Sequence, residues 1–383
     1  MITEIREKFL EKFGVSPLLV RAPGRLNLIG EHTDYNMGYV LPAAIDREMT
    51  FALASSQNEE ITLHALDIDE EIRIKLSELK PSKDPMWPNY LLGVVAEMRE
   101  KGHHVEGFYC MFGGNIPIGA GLSSSAAIEC GLAVGLNELF QQGISREELI
   151  GIAQKAEHHY TGVMCGIMDQ FASTYGKEGH VIRLDCRSLE HEYFPLDTSG
   201  LSIVLLDTVV HHSLASSEYN TRRQECEEGV RIIAKNYPEV ASLRDCTPEM
   251  VVENREALGE TIYNRCLYIT EENKRVEQAC EKLLAGDMEG MGKLMNFSHD
   301  GLSRLYEVSC DELDFLQEHA IGKKGVLGAR MMGGGFGGCT INLVRSEIVD
   351  DFVGSAKNAY FQRFNLQLKS YVVSIANGVS VVS

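Results

Sequence analysis

Apolar residues at Ile2, Ile5, Phe9, Leu10 and Phe13, interleaved with charge, predict an opening amphipathic helix. Residues 17–30 and 38–57 read as strands joined by the polar loop around EHTDYN, and GFYCMF at 107–112 reads as a third strand. The loop GGNIPIGAGLSSSAA follows it. Beyond that loop Ile128, Leu132, Leu136, Leu139 and Phe140 recur at helical spacing, so the loop feeds the N-terminus of a helix. Leu149, Ile150, Ala153 and Ala156 mark one face of a helix over 146–160 that ends near Gly162, and MCGIMDQFAS predicts a short helix behind it. Past about 185 the pattern predicts a strand over 201–207, polar helices over 218–236 and 262–285, and a strand pair around GGGFGG at 333–338. The expected division is an N-terminal lobe over 1–195 and a C-terminal lobe over 196–383.

A length of 383 residues exceeds the usual size of one hydrophobic core, so two lobes with a ligand-binding cleft between them are expected. The formal charge of −19 argues against affinity for nucleic acid or an anionic membrane surface, both of which need a basic face. An anionic substrate would then need local donors or a metal ion. Ten cysteines contain no C-x-x-C pair, which points to reduced thiols. No apolar run approaches the roughly 20 residues of a membrane-spanning helix, so a cytoplasmic location is expected.

Three segments carry candidate chemistry. In PIGAGLSSSAA, Gly119 and Gly121 allow close backbone approach, and the serines fall where a helix start leaves amides unpaired. That suits a phosphate; a serine-capped helix behind a flexible loop is the alternative. The stretch differs from a Walker A loop, having no lysine after the glycines, and from a dinucleotide fingerprint, having Ser124 in place of the third glycine. In CGIMDQF, Asp169 sits among Ile167, Met168 and Phe171, and Glu157 on the preceding helix has the chemistry of a magnesium ligand or of an ordinary exposed helix position. GARMMGGGFGGCT holds five glycines between 333 and 338, marking either a close approach or a tight bend between lobes. Glu31, His32 and Asp34 suit a polyol, because carboxylates accept from vicinal hydroxyls, and Arg25 lends a permanent charge beside them. Together these describe phosphate transfer from ATP to a sugar hydroxyl.

GRLNLIGEHTDYN resembles the signature of the galactokinases, PIGAGLSSSAA the phosphate loop of the GHMP kinases to which they belong, and GARMMGGGFGGCT the C-terminal glycine motif of those kinases. CGIMDQF and LASSEYNTRR also look like galactokinase segments, so the resemblance runs from about residue 16 to about 378. It implies an α/β (α+β) fold of two lobes, the second ferredoxin-like, with the active site between them. It implies Asp169 as the catalytic carboxylate with Arg25 at the transferring phosphoryl group, and Glu31, His32, Asp34, Gly166 and Tyr219 around the sugar. Gly119, Ala120, Gly121, Leu122, Ser123, Ser124 and Ser125 would wrap the ATP phosphates, Ser125 and Glu157 would bind Mg²⁺, and Trp87 would flank the adenine. The implied activity is phosphorylation of galactose at C1 by MgATP, in a monomer that needs no nucleic acid or membrane partner. Relatives acting on N-acetylgalactosamine or arabinose, and sugar sensors without turnover, are the alternatives. Thr33 and Asn36 in EHTDYN are similar to the galactose branch, and the complete serine loop differs from the sensors. The chain departs from the family at Asp207 and Thr208, where Asn and Ser are common, and at His211, where a basic residue is usual, which puts any charge lent there to the nucleotide in doubt.

Overall fold

The computed structural model describes residues 1–117, 119–211 and 215–382, without the side chains of 211 and 215–217. The first sheet has six strands in the spatial order Ser380–Val382, Leu18–Asn27, Pro42–Ser55, Phe108–Gly114, Glu60–Ala65 and Glu70–Lys75. Only the pairing of Glu60–Ala65 with Phe108–Gly114 is parallel. Both faces of this sheet are covered, which the alternation along one strand makes plain. Phe51 and Leu53 pack with Leu132 and Leu136 of the helix Ser124–Leu139, whereas Ala52 and Ala54 pack with Ile5 and Phe9 of the helix Ile2–Phe13.

The helix Ser124–Leu139 lies unusually close to the sheet because two of its residues are glycines. A Cβ on Gly131 would sit 2.2 Å from the Phe51 ring, and one on Gly135 would sit 2.1 Å from Leu53. Its N-terminus, carrying the serine loop, is thereby fixed against the strand that carries Arg25. That strand changes register between Pro23 and Arg25. Bulges of this kind re-aim side chains beside functional sites, and a Cβ on Gly24 would come within 2.6 Å of the Leu122 carbonyl.

The second large sheet is antiparallel, in the order Val326–Met331, Gly337–Arg345, Leu201–His211 and Lys369–Val373. Numbered along the chain this is 2-3-1-4, with helices in the connections, so the expected ferredoxin-like lobe is present. A three-stranded sheet of Tyr39–Val40, His180–Asp185 and His191–Pro195 completes the β structure of the described residues. The chain passes from one sheet system to the other between Pro195 and Leu201, and Ser380–Val382 returns to the first sheet beside Leu18–Asn27. All ten cysteines are unpaired. Among the described residues no helix is long and apolar enough to cross a membrane.

Candidate active site

Between the two sheets lies a cavity of about 130 Å³ lined by residues from both halves of the chain, including Arg25, Glu31, His32, Asp34, Glu157, Gly166, Asp169 and Tyr219. Every residue that the sequence assigned to catalysis or to the sugar is therefore brought to one place. The volume suits a small polar ligand and excludes a nucleotide, which would have to lie outside it.

Arg25 and Asp169, 144 residues apart, form a bidentate pair, with Nε–Oδ1 at 2.7 Å and Nη2–Oδ2 at 2.8 Å. The third guanidinium nitrogen donates to the Gly121 carbonyl at 2.6 Å, and the Arg25 N–H donates to the Leu122 carbonyl at 3.1 Å. Arg25 thus couples the carboxylate to the serine loop. Ser123 adds to this arrangement in a way the capped-helix alternative did not foresee. It takes a left-handed backbone (φ 57°), makes no capping bond, and donates its hydroxyl to Asp169 instead. The first intrahelical amide bond is made by Ala127 to the Ser123 carbonyl at 3.1 Å. The amides of the first turn before it are the orphan donors that an anion would satisfy.

The loop at 31–36 is held by residues that the sequence reading did not single out. Glu31 Oε1 accepts from the Gly333 N–H at 2.8 Å and from Arg330 Nη2 at 3.1 Å. Arg330 is wholly buried and also donates to the carbonyls of Leu28 (2.9 Å), Met331 (2.7 Å) and Asn27. One side chain of the C-terminal lobe therefore anchors the 31–36 loop of the other. A lone arginine inside the apolar run VLGARMM was its only sequence signal. Helix Arg255–Leu284 adds two further anchors, since Glu272 accepts from the Gly30 N–H and Asn273 from the Tyr39 N–H, both at 2.9 Å.

Gly166 is required by packing: a Cβ there would lie 1.9 Å from Oδ2 of Asp34. The Asp34 carboxyl is pushed up to about 7, chiefly by burial and next by the negative charge of Asp169. Across the cavity, the His32 imidazole is pulled down to about 3, mostly by burial and then by Arg222. It packs against Tyr306 and Tyr219 at ring separations of 4.9 and 5.4 Å.

Glu157 does not lie on an α-helix. The helix stops at Ala156, and Glu157–Thr161 form a wider π turn that Gly162 ends in a left-handed conformation. The carboxylate is buried rather than exposed; it accepts from Gln170 Nε2 at 2.9 Å and Cys165 Sγ at 3.3 Å, and the nearby Ser125 hydroxyl favours its charged form. Burial and then Asp169 raise it to about 7. Gln170 also donates to Glu129 at 3.2 Å, a fully buried carboxyl that burial and Glu157 push well above the usual range. No arginine or lysine pairs with Glu157 among the described residues. A buried carboxylate beside a hydroxyl, lacking a cation, is a fitting donor set for Mg²⁺, which takes few protein oxygens and leaves the rest to phosphates and water. The described residues hold no cluster of three or more His, Cys, Asp or Glu side chains able to hold a metal alone.

The two glycine-rich segments face each other. A Cβ on Gly338 would lie 3.7 Å from the backbone of Ala120, and one on Gly333 would lie 3.5 Å from the Gly121 carbonyl, so the C-terminal motif backs the serine loop. Trp87 is not in the cavity wall. It donates from Nε1 to Glu70 at 2.6 Å and packs 5.8 Å from Phe112, on the strand that runs into the serine loop. Asp207 and Thr208 are buried where the strand Leu201–His211 pairs with the glycine motif, Thr208 donating to the Gly338 carbonyl at 2.9 Å. The side chain of His211 lies outside the described residues.

The galactokinase galactose-binding signature matches residues 7–55, the N-terminal domain of GHMP kinases 89–177, and their C-terminal domain 276–361. A galactokinase of Thermotoga maritima is 42% identical over 363 residues, covering 95% of this chain and 99% of its own, and one of Roseiflexus sp. is 39% identical over 380 residues, covering 99% and 97%. The crystal structure of Lactococcus lactis galactokinase complexed with galactose superposes with a TM-score of 0.95 at 35% identity, covering 99% of each chain. Methanococcus jannaschii mevalonate kinase, at 18% identity and a TM-score of 0.66, shares the fold alone. The motifs, the lobes and the carboxylate held by Arg25 thus come together in one lineage, and the chain belongs to the galactokinase family of the GHMP kinases.

Proposed function

We propose that this chain transfers the γ-phosphoryl group of ATP to the C1 hydroxyl of α-D-galactose, releasing ADP and galactose 1-phosphate. It would thereby catalyse the first committed step of galactose catabolism, as a cytoplasmic monomer. The observation that carries this reading is the Arg25–Asp169 pair, set between a sugar-sized cavity and the open N-terminus of the helix Ser124–Leu139.

An aspartate is a weak base beside a sugar alkoxide, so Asp169 acts late. In a loose transition state the hydroxyl becomes acidic only as it bonds to phosphorus. Asp169 orients the hydroxyl and takes its proton at that stage, while Arg25 stabilises charge on the phosphoryl oxygens. The backbone of residues 119–125 cradles the ATP phosphates. Ser125 and Glu157 would hold Mg²⁺, whose chemistry when bound is to neutralise and orient those phosphates. Glu31, His32, Asp34 and Tyr219 hold the sugar, Gly166 leaves room for Asp34, and Trp87 flanks the adenine.

Titrating the protein with galactose, without nucleotide, tests the substrate half of this reading. Galactose should bind more tightly than N-acetylgalactosamine or arabinose. Its affinity should fall as pH is lowered through 7, because the Asp34 carboxyl, raised to about 7, becomes a hydroxyl donor where an acceptor is needed. Below pH ~6 the loss should approach about tenfold per unit, one proton being displaced on binding. Asp34→Asn should bind weakly and without that slope. Equal affinity for the three sugars would overturn the assignment of galactose, and a flat pH profile would remove Asp34 from the hydroxyl contacts.

A further inference from the structure

His32 terminates a chain of hydrogen bonds that the phosphoryl transfer itself does not use. Its Nδ1 lies 2.8 Å from the Tyr35 hydroxyl, which lies 2.8 Å from the Tyr306 hydroxyl, which lies 3.2 Å from Cys226 Sγ. All four side chains are buried. They come from three segments far apart in sequence: the sugar loop, the helix Ala215–Ile233 and the residues after the helix Met288–Arg304.

The imidazole is neutral at any pH near 7, so it carries one proton, on Nδ1 or on Nε2. Nε2 is buried with no hydrogen-bond partner among the described residues, in a ring that lines the cavity together with the carboxylates of Glu31, Asp34 and Asp169, beside which a proton is favoured over a lone pair. With the proton on Nε2, every later link has one direction. Nδ1 can only accept, so Tyr35 donates to it. The Tyr35 oxygen must then accept from Tyr306, and the Tyr306 oxygen from the Cys226 thiol. The Asn36 amide donates to the His32 carbonyl at 2.9 Å and so holds the loop around the ring.

We propose that Tyr35, Tyr306 and Cys226 form a one-way donor relay that holds His32 as its Nε2–H tautomer and makes it a hydrogen-bond donor to a sugar hydroxyl. The inference rests on the galactose reading above and extends it to residues that do not touch the sugar. The consequence is one of complementarity. Glu31, Asp34 and Asp169 are acceptors, and the Arg25 guanidinium is already committed to Asp169 and Gly121. Acceptors alone engage a hydroxyl's proton and leave its lone pairs unmatched. Tyr219 also lines the cavity with a hydroxyl that can turn either way; an Nε2–H adds a donor of fixed direction, and Tyr35 and Tyr306 are positioning residues that guarantee it.

Long-range ¹H–¹⁵N correlation on ¹⁵N-histidine-labelled protein, with His32→Gln used to assign the signal, reads the tautomer directly. The wild type should show His32 protonated at Nε2 alone, and Tyr35→Phe should show a mixture. In the same variant the galactose KM should rise about tenfold, the effect of losing one well-placed hydrogen bond in a buried site. The KM for ATP should stay unchanged and kcat should move far less than the galactose KM. Tyr306→Phe should act in the same direction. In a His32→Gln background, whose amide supplies a fixed donor, Tyr35→Phe should add little. A wild-type spectrum with the proton on Nδ1 would overturn the relay. So would a folded Tyr35→Phe, by melting curve, that keeps the wild-type galactose KM. If the wild type fails to bind galactose, the substrate reading falls, and the tautomer spectrum still decides the relay.

Discussion

Asp169→Asn is expected to lower kcat by about 10²-fold or more, the usual size of a general-base contribution, while galactose and ATP continue to bind. Asparagine keeps the shape of the side chain and can still accept from Arg25 at one position. It cannot take a proton, and in either orientation its amide would face an Arg25 N–H, where the carboxylate accepts from both arms of the guanidinium. Binding can be followed through Trp87, the sole tryptophan, and turnover through release of ADP. The Ser123 contact sharpens the expectation, because the same oxygen that accepts from Ser123 also accepts from Arg25 Nη2. Its partner, Oδ1, is bound by Nε alone. Retention of more than about a tenth of the wild-type kcat, well outside the general-base range, would assign the principal catalytic effect to Arg25.

Arg330→Met should be the most destabilising single change in the site, by about 3–5 kcal/mol, as when one partner of a buried ion pair is removed. It strips a donor from three backbone carbonyls as well as from Glu31, and all of these groups are out of contact with water. The galactose KM should rise with it, because the loop that carries Glu31, His32 and Asp34 loses its link to the opposite lobe. Urea unfolding of Arg330→Met beside Arg330→Met/Glu31→Gln separates the causes. The double variant should recover part of the loss, since it no longer buries an unpaired charge. A single variant within about 1 kcal/mol of wild type, the range of ordinary substitutions, would show that the clamp contributes little.

Arg330 also shows where sequence reading stops. The local pattern predicts the strands Leu18–Asn27, Pro42–Ser55, Phe108–Gly114, Leu201–His211 and the pair beside the glycine cluster, the opening helix, the helix behind the serine loop and the helix that follows Gly259, but not the strands Glu60–Ala65, Glu70–Lys75, His180–Asp185, His191–Pro195 and Lys369–Val373. It marks the segments at 25–36 and 166–169 whose side chains meet in the cavity, because their residue types are unusual for loops. It did not give the pairing of Arg330 with Glu31, 299 residues apart, or of Ser123 with Asp169, 46 apart, since neither partner carries a local mark of the other. Glu157 was placed on a helix because Leu149 to Ala156 keep their period up to it, and only the structure shows the turn widening there. Glu129 and Gln170 were passed over for a related reason. A carboxylate on an apolar helix face is ordinary until its burial beside a second carboxylate is known. The strand Ser380–Val382 is too short for any periodic signal, and its place beside Leu18–Asn27 is set by long-range pairing.

The most direct test of the account is the identity of the product. The purified protein, incubated with galactose and MgATP, should convert ATP to ADP with an equal amount of a single new phosphate monoester. In ³¹P spectra that phosphorus should couple to the anomeric proton of α-galactose. The same mixture prepared with Asp169→Asn should accumulate it at least about a hundred times more slowly. A monoester coupled instead to the C6 protons, or galactose bound with no ADP formed, would contradict a C1 kinase built around Arg25 and Asp169.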